Sequence, residues 1–139
     1  MDLMIEDLME QLIEMGGSDM HLQAGAPVYF RVSGKLQAIN DEPLAPQECH
    51  KLIFSMLNNT QRKDLEQNWE LDCSYGVKGL ARFRVNVYKE RGYYAACLRA
   101  LASKIPNFDM LCLPEVVREM THRPRGLVLV TGQTGSGKT

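Results

Sequence analysis

Apolar residues fall at Met4, Ile5, Leu8, Met9, Leu12 and Ile13, a spacing that lines one face of a helix. Asp2 can cap that helix and Gly16–Gly17 can stop it, so the pattern predicts a helix ending near Met15. From Ser18 the period changes to two. Ser18–Leu22 alternates polar and apolar residues, Gly25–Ala26–Pro27 turns the chain, and Val28–Val32 reads as a second strand. Ser33–Gly34–Lys35 reads as a hairpin turn into a third strand, Leu36 to Ile39. Pro46 suits the first turn of a helix to Leu57, with Leu52, Ile53, Met56 and Leu57 on its apolar side. Asn58–Asn59 breaks it, and Thr60 can cap a short charged helix to Asn68.

Three more strands follow. Glu70 to Tyr75 carries acidic alternate positions, Glu70 and Asp72, and Gly76–Val77–Lys78–Gly79 turns it. The next strand puts Ala81, Phe83, Val85 and Val87 on one face and Arg82, Arg84, Asn86 and Tyr88 on the other. Arg91–Gly92 is a turn signal, after which Tyr93 to Ala100 returns. A two-residue turn there places Val85 opposite Leu98, Val87 opposite Ala96, and Arg84 opposite Arg99. Like charges directly opposed on a sheet destabilise it by up to about 1 kcal/mol. A phosphate between the two guanidiniums reverses that sign, because each can donate two hydrogen bonds to it. Neutralisation by Glu70 or Asp72 from the adjacent strand accounts for the pair equally well. Asp19 and His21 share a side of their strand. They are close enough for an acid/base pair, but with no nucleophile nearby a structural hydrogen bond is the better reading.

The remainder is weakly periodic. Leu101 to Leu113 reads as a connector, Pro114 starts a short helix from Glu115 to Met120, and Thr121–Gly126 is a boundary. Leu127–Val130 is an unbroken apolar run of strand type, and Gly132–Gln133–Thr134–Gly135–Ser136–Gly137–Lys138–Thr139 follows it. That string fits the phosphate-binding loop G-x-x-x-x-G-K-[ST] at every fixed position. Its glycines let backbone N–H groups point at an anion, Lys138 would reach the β and γ phosphates, and the Thr139 hydroxyl would coordinate Mg²⁺. The alternative is a glycine-rich flexible tail. The helix that normally follows the loop is missing, so the terminal apolar run has no parallel sheet to join. It is expected to pack back on the N-terminal region, to pair with a neighbouring molecule, or to be disordered.

Composition narrows the class. A chain of 139 residues, 45% hydrophobic and 24% charged, can bury a core. A net charge of -1 gives no case for nucleic acid or an anionic membrane surface as a main partner. No apolar stretch approaches the roughly 20 residues that cross a bilayer. Cys49, Cys73, Cys97 and Cys112 form no C-x-x-C pair and read as reduced thiols.

Four stretches, Ser18–Leu22, Gly79–Asn86, Pro124–Gly132 and the phosphate loop, occur in an order and spacing that resemble the type IV pilus retraction ATPases of the secretion/pilus ATPase superfamily. The resemblance covers essentially the whole chain. It implies an α+β fold: a PAS-like, mostly antiparallel sheet with flanking helices over 1–101, and a linker with a short helix over 102–125. The first strand and phosphate loop of a truncated RecA-like domain would occupy 126–139. It implies ATP and Mg²⁺ as cofactors, with Gly132–Thr139 on the phosphates and Thr139 on the metal. Arg84 and Arg99 match the arginines that reach the phosphates from the N-terminal domain, with Arg82, Arg91 and Arg125 as weaker candidates. It also implies a hexameric ring powering pilus retraction and twitching motility. That ring would be cytoplasmic, peripheral at the inner membrane, and engaged with the pilus platform protein. Gln133 departs from the usual proline, and the Walker B acid, the catalytic glutamate and the histidine box are absent, so the fragment itself is expected to be inactive. Two other readings stay open. One is a nucleotide-independent oligomerisation or protein-binding module, and the other is a different phosphate-loop enzyme such as a small kinase.

Overall fold

The helical pattern at the start folds as α1 (Ile5–Glu14), whose Ile5, Leu8, Met9 and Leu12 are buried. Met4 is its N-cap and makes no side-chain cap, while Asp2 lies outside the described residues. The structure is a computed structural model that describes residues 3–101 and 107–132. The chain divides into two units, Met1–Ser103 and Lys104–Thr139.

Unit one is one antiparallel sheet with helices on one face. After α1 come β1 (Gly17–Leu22), β2 (Tyr29–Val32) and β3 (Lys35–Ala38). Next are α2 (Pro46–Ser55) and α3 (Asn59–Asn68), then β4 (Glu70–Val77), β5 (Ala81–Glu90) and β6 (Tyr93–Leu101). The sheet order is β3-β2-β1-β6-β5-β4, with every neighbouring pair antiparallel. This is the mixed α+β architecture expected, with α1 on β1, α2 on β6 and α3 on β4.

Turn chemistry sets the register. Ser33 and Gly34 both take positive φ, so Lys35 already pairs with Val32 and belongs to β3 rather than to the turn. Arg91 and Gly92 also take positive φ and form the two-residue turn between β5 and β6. At the β4–β5 turn the pairing runs two residue pairs further than expected. Gly76 faces Arg82 and Val77 faces Ala81, leaving Lys78, Gly79 and Leu80 as the loop with Gly79 at φ +82°. The α3 cap is Asn58 rather than Thr60. Its side chain accepts from the Gln61 N–H at 2.9 Å while the Gln61 side chain accepts from the Asn58 N–H. This reciprocal box outcompetes a hydroxyl two residues later, because it satisfies two orphan donors at once.

The core is the helix-facing side of the sheet. Met20, Leu22, Val28, Phe30, Phe83, Val85, Val87, Ala96 and Leu98 meet the buried residues of α1 and α2. Burying a Phe or Val side chain is worth about 1.5–3 kcal/mol, so the alternation along β5 strongly selects its register.

Among the described residues of unit two, Glu115–Thr121 forms α4 and Arg118 pairs with Asp109 and Glu115. The apolar run is not a strand: among the described residues Leu127–Val130 has no ladder partner, and it is exposed. A strand without a neighbour has no cross-strand hydrogen bonds, so apolar pattern alone does not form one.

Gly17 begins β1 against the end of α1, and a Cβ there would run into the Leu12 side chain and carbonyl. Gly17→Ala is expected to destabilise unit one by about 1–3 kcal/mol, read as a lower urea midpoint at unchanged slope; an unshifted midpoint would contradict this packing.

Candidate functional site

The helix-free face of the sheet carries the chemistry. Antiparallel pairing lines up Arg31 on β2, Asp19 on β1, Arg99 on β6 and Arg84 on β5, each opposite the next. Neighbouring strands are about 4.8 Å apart, so three guanidiniums and a carboxylate form one row across the sheet. Arg84 and Arg99 are directly opposed, as the two-residue turn at Arg91–Gly92 requires.

Asp19 is the fixed point. It is 5% exposed and is the buried charged residue of the described core. The Arg99 Nε donates to its Oδ1 at 2.9 Å, the Ser18 hydroxyl to its Oδ2 at 2.7 Å, and the Arg31 Nε lies 3.6 Å from Oδ2. The β1–β2 ladder shifts between Gly17 and Asp19, leaving Ser18 as an extra residue beside the carboxylate. Burial pushes the Asp19 carboxyl up. The Ser18 and Arg99 hydrogen bonds and the Arg99 and Arg31 charges outweigh it and hold the carboxyl below its ordinary value. The bond predicted between Asp19 and His21 is therefore not the one formed: the register gives Asp19 to Arg99 and puts His21 opposite Cys97. The His21 Nε2 is buried without a partner, and burial lowers the imidazole pKa, so it favours the neutral form.

Arg84 is held differently. Its Nη2 lies 3.3 Å from the Asp72 Oδ2, and both side chains are open to solvent, 67% and 54% exposed. Asn86 donates to Glu70 at 3.4 Å. Asp72, Arg84, Asn86, Cys97 and Arg99 line an open cleft of about 220 Å³. Of the two acidic neighbours considered above, Asp72 pairs with Arg84 and Glu70 with Asn86, while Arg99 is paired by Asp19 from β1. Two arginines, Arg84 and Arg99, and one carboxylate, Asp72, line the cleft itself, and both guanidiniums are more than half exposed. Among the described residues no group of three or more His, Cys, Asp or Glu side chains could hold a metal ion.

The other candidates separate from this row. Arg82 is exposed on the same face, one step along β5, opposite Leu101. Arg91 sits in the turn beside Glu90, seven residues from Arg84 and so about 20 Å away along the strand. Arg125 is exposed in a bend of unit two. Gly132 belongs to no helix or strand, whereas Gln133, Thr134, Gly135, Ser136, Gly137, Lys138 and Thr139 lie outside the described residues. Arg31 is the residue that sequence reasoning passed over. Pairing β1 to β2 through the Gly25–Pro27 turn would have set it opposite Asp19.

This α+β fold has a counterpart among known families: the family of type II/IV secretion system proteins matches residues 1–139. The chain belongs to that family. It is 43% identical over 135 residues to the type IV pilus retraction ATPase PilT of Pseudomonas aeruginosa, covering 97% of this chain and 39% of that protein. It superposes on the crystal structure of the pilus retraction motor PilT with bound ADP at a TM-score of 0.84 and 47% identity, over 98% of this chain and 40% of the other. The Legionella pneumophila ATPase DotB is more distant, with a TM-score of 0.79 and 29% identity over 96% of this chain and 38% of that one. The chain thus spans about two fifths of the length of these relatives.

The lowered Asp19 pKa carries a stability consequence with a definite sign. An unfolded aspartate titrates near 3.8. The carboxylate's contribution is therefore fully present above that value and is lost as pH falls through the lower folded value. Asp19→Asn should cost about 1–3 kcal/mol at pH 7 and much less near pH 2. The check is denaturant melts at both pH values, and an equal cost at the two would rule out the ionised anchor.

Proposed function

We propose that this chain forms the N-terminal part of a pilus-retraction motor ATPase and supplies one wall of its ATP site. The observation that carries the reading is the adjacency of Arg84 and Arg99 at the mouth of an anion-sized cleft. Opposed guanidiniums strain a sheet unless something negative bridges them. A triphosphate does so with charge-assisted, bidentate hydrogen bonds. The glycine-rich motif Gly132–Thr139 would hold the same phosphates through its backbone N–H groups and Lys138, with Thr139 as the Mg²⁺ ligand. Bound there, Mg²⁺ would neutralise charge on the phosphate oxygens. The chain's own residues do the orienting: Asp19 holds the Arg99 guanidinium by its Nε, which leaves the Nη donors for the ligand.

In a chain of the relatives' full length, the site would lie between the PAS-like unit and a RecA-like ATPase unit. Six copies would assemble as a ring that turns ATP hydrolysis into pilus retraction. Its setting would be the cytoplasmic side of the inner membrane, against the pilus platform protein. No helix among the described residues is long and apolar enough to cross a membrane.

The test uses the chain extended to the length of its PilT relatives. Arg84→Ala and Arg99→Ala are each expected to lower ATP turnover at least about a hundredfold, the scale of losing a phosphate-facing arginine, with the melting transition kept. Full turnover in both variants would overturn the assignment.

A further inference from the structure

The two arginines of the cleft are neutralised in different ways. Arg99 meets a carboxylate that is 5% exposed and triply held, by Ser18, Arg31 and Arg99 itself. That pair is part of the sheet and does not exchange with a ligand. Arg84 meets Asp72 on the edge strand β4, at 3.3 Å, with both partners mostly in water. An exposed ion pair of this kind contributes little, because water and salt compete with it. Asp72 is not directly opposite Arg84 in the ladder. It faces Asn86, and Ser74 faces Arg84. The contact is therefore a diagonal reach that the backbone does not enforce.

Resting on the phosphate-site reading above, we propose that Asp72 is a built-in competitor for the ligand. Its carboxylate occupies the Arg84 guanidinium when no phosphate is present, and a polyphosphate must displace it to bridge Arg84 and Arg99. Asp72 then sets the affinity of the cleft and the dependence of that affinity on ligand charge, while Asp19 positions Arg99. Weakly charged oxyanions fail to displace the carboxylate, and polyphosphates succeed. Two carboxylates of the same type thus act in opposite directions, and burial decides which does which.

The experiment is an NMR titration of the 139-residue chain with inorganic tripolyphosphate at low ionic strength, following the amides of residues 84, 86, 97 and 99. Wild type, Asp72→Asn, Asp19→Asn and Arg84→Ala are compared, each first shown to keep the wild-type amide dispersion. Asp72→Asn is expected to bind about three- to tenfold more tightly, since it removes both a weak competing pair and a nearby negative charge. Asp19→Asn is expected to bind more weakly, although it too removes a negative charge. An effect of net charge alone would move both variants the same way. Equal affinities in wild type and Asp72→Asn, with binding lost in Arg84→Ala, would overturn the competitor role and leave the phosphate site standing. Binding that Arg84→Ala leaves unchanged, or no binding by wild type and Asp72→Asn alike, would overturn the phosphate site itself.

Discussion

A two-residue turn with both residues at positive φ joins the two longest strands of the sheet, and the functional face depends on it. The turn leaves no freedom in how β5 and β6 align. The alignment buries Phe83, Val85 and Val87 against the helices and, by the alternation of the strand, turns Arg84 outward beside Arg99. A slip of one residue would expose that apolar row and bury guanidiniums, so core packing and the cleft are selected together. The core can therefore bear the unfavourable contact of like charges on the opposite side, because the two sides of one strand cannot be adjusted separately.

Charge on the open face is graded by depth. Asp19 lies at the centre of the sheet, where every strand neighbour can reach it, and three groups hold it ionised. Asp72 lies on an edge strand, where half of its surroundings are water. A shielded pair behaves as scaffold and an unshielded one as an exchangeable contact, even though both are Asp–Arg pairs. Elsewhere depth has the opposite use: burial pushes the Cys49 thiol up to about 11, so it stays protonated and acts as core.

Much of this was legible in the sequence because β-strand alternation is a local signal. The β5 faces, the turn at Arg91–Gly92 and the opposition of Arg84 and Arg99 all follow from one continuous stretch, Ala81 to Arg99. The family resemblance rested instead on four short stretches spread along the chain, and the fold class came with it. What local pattern did not give was any pairing between segments far apart in the chain. The Arg99–Asp19 contact joins residues eighty positions apart, and nothing near Asp19 says that β6 lies beside β1. His21 was the nearer partner in sequence and the wrong one in space. Arg31 was missed because its role appears only when β1 and β2 are set in register. The run Leu127–Val130 shows the converse: its composition favours a strand, but a strand needs neighbours to bond with.

Among the described residues the sheet ends at β3 on one side and at β4 on the other, and each edge leaves backbone donors and acceptors unpaired. β4 is the longer of the two, at eight residues, and a flat edge of that length is a template for a second chain to add to. Glu70 and Asp72 lie along it. Two copies approaching edge to edge would bring carboxylates into register with carboxylates. The acidity that tempers the arginines thus also discourages aggregation at the sheet's most vulnerable margin.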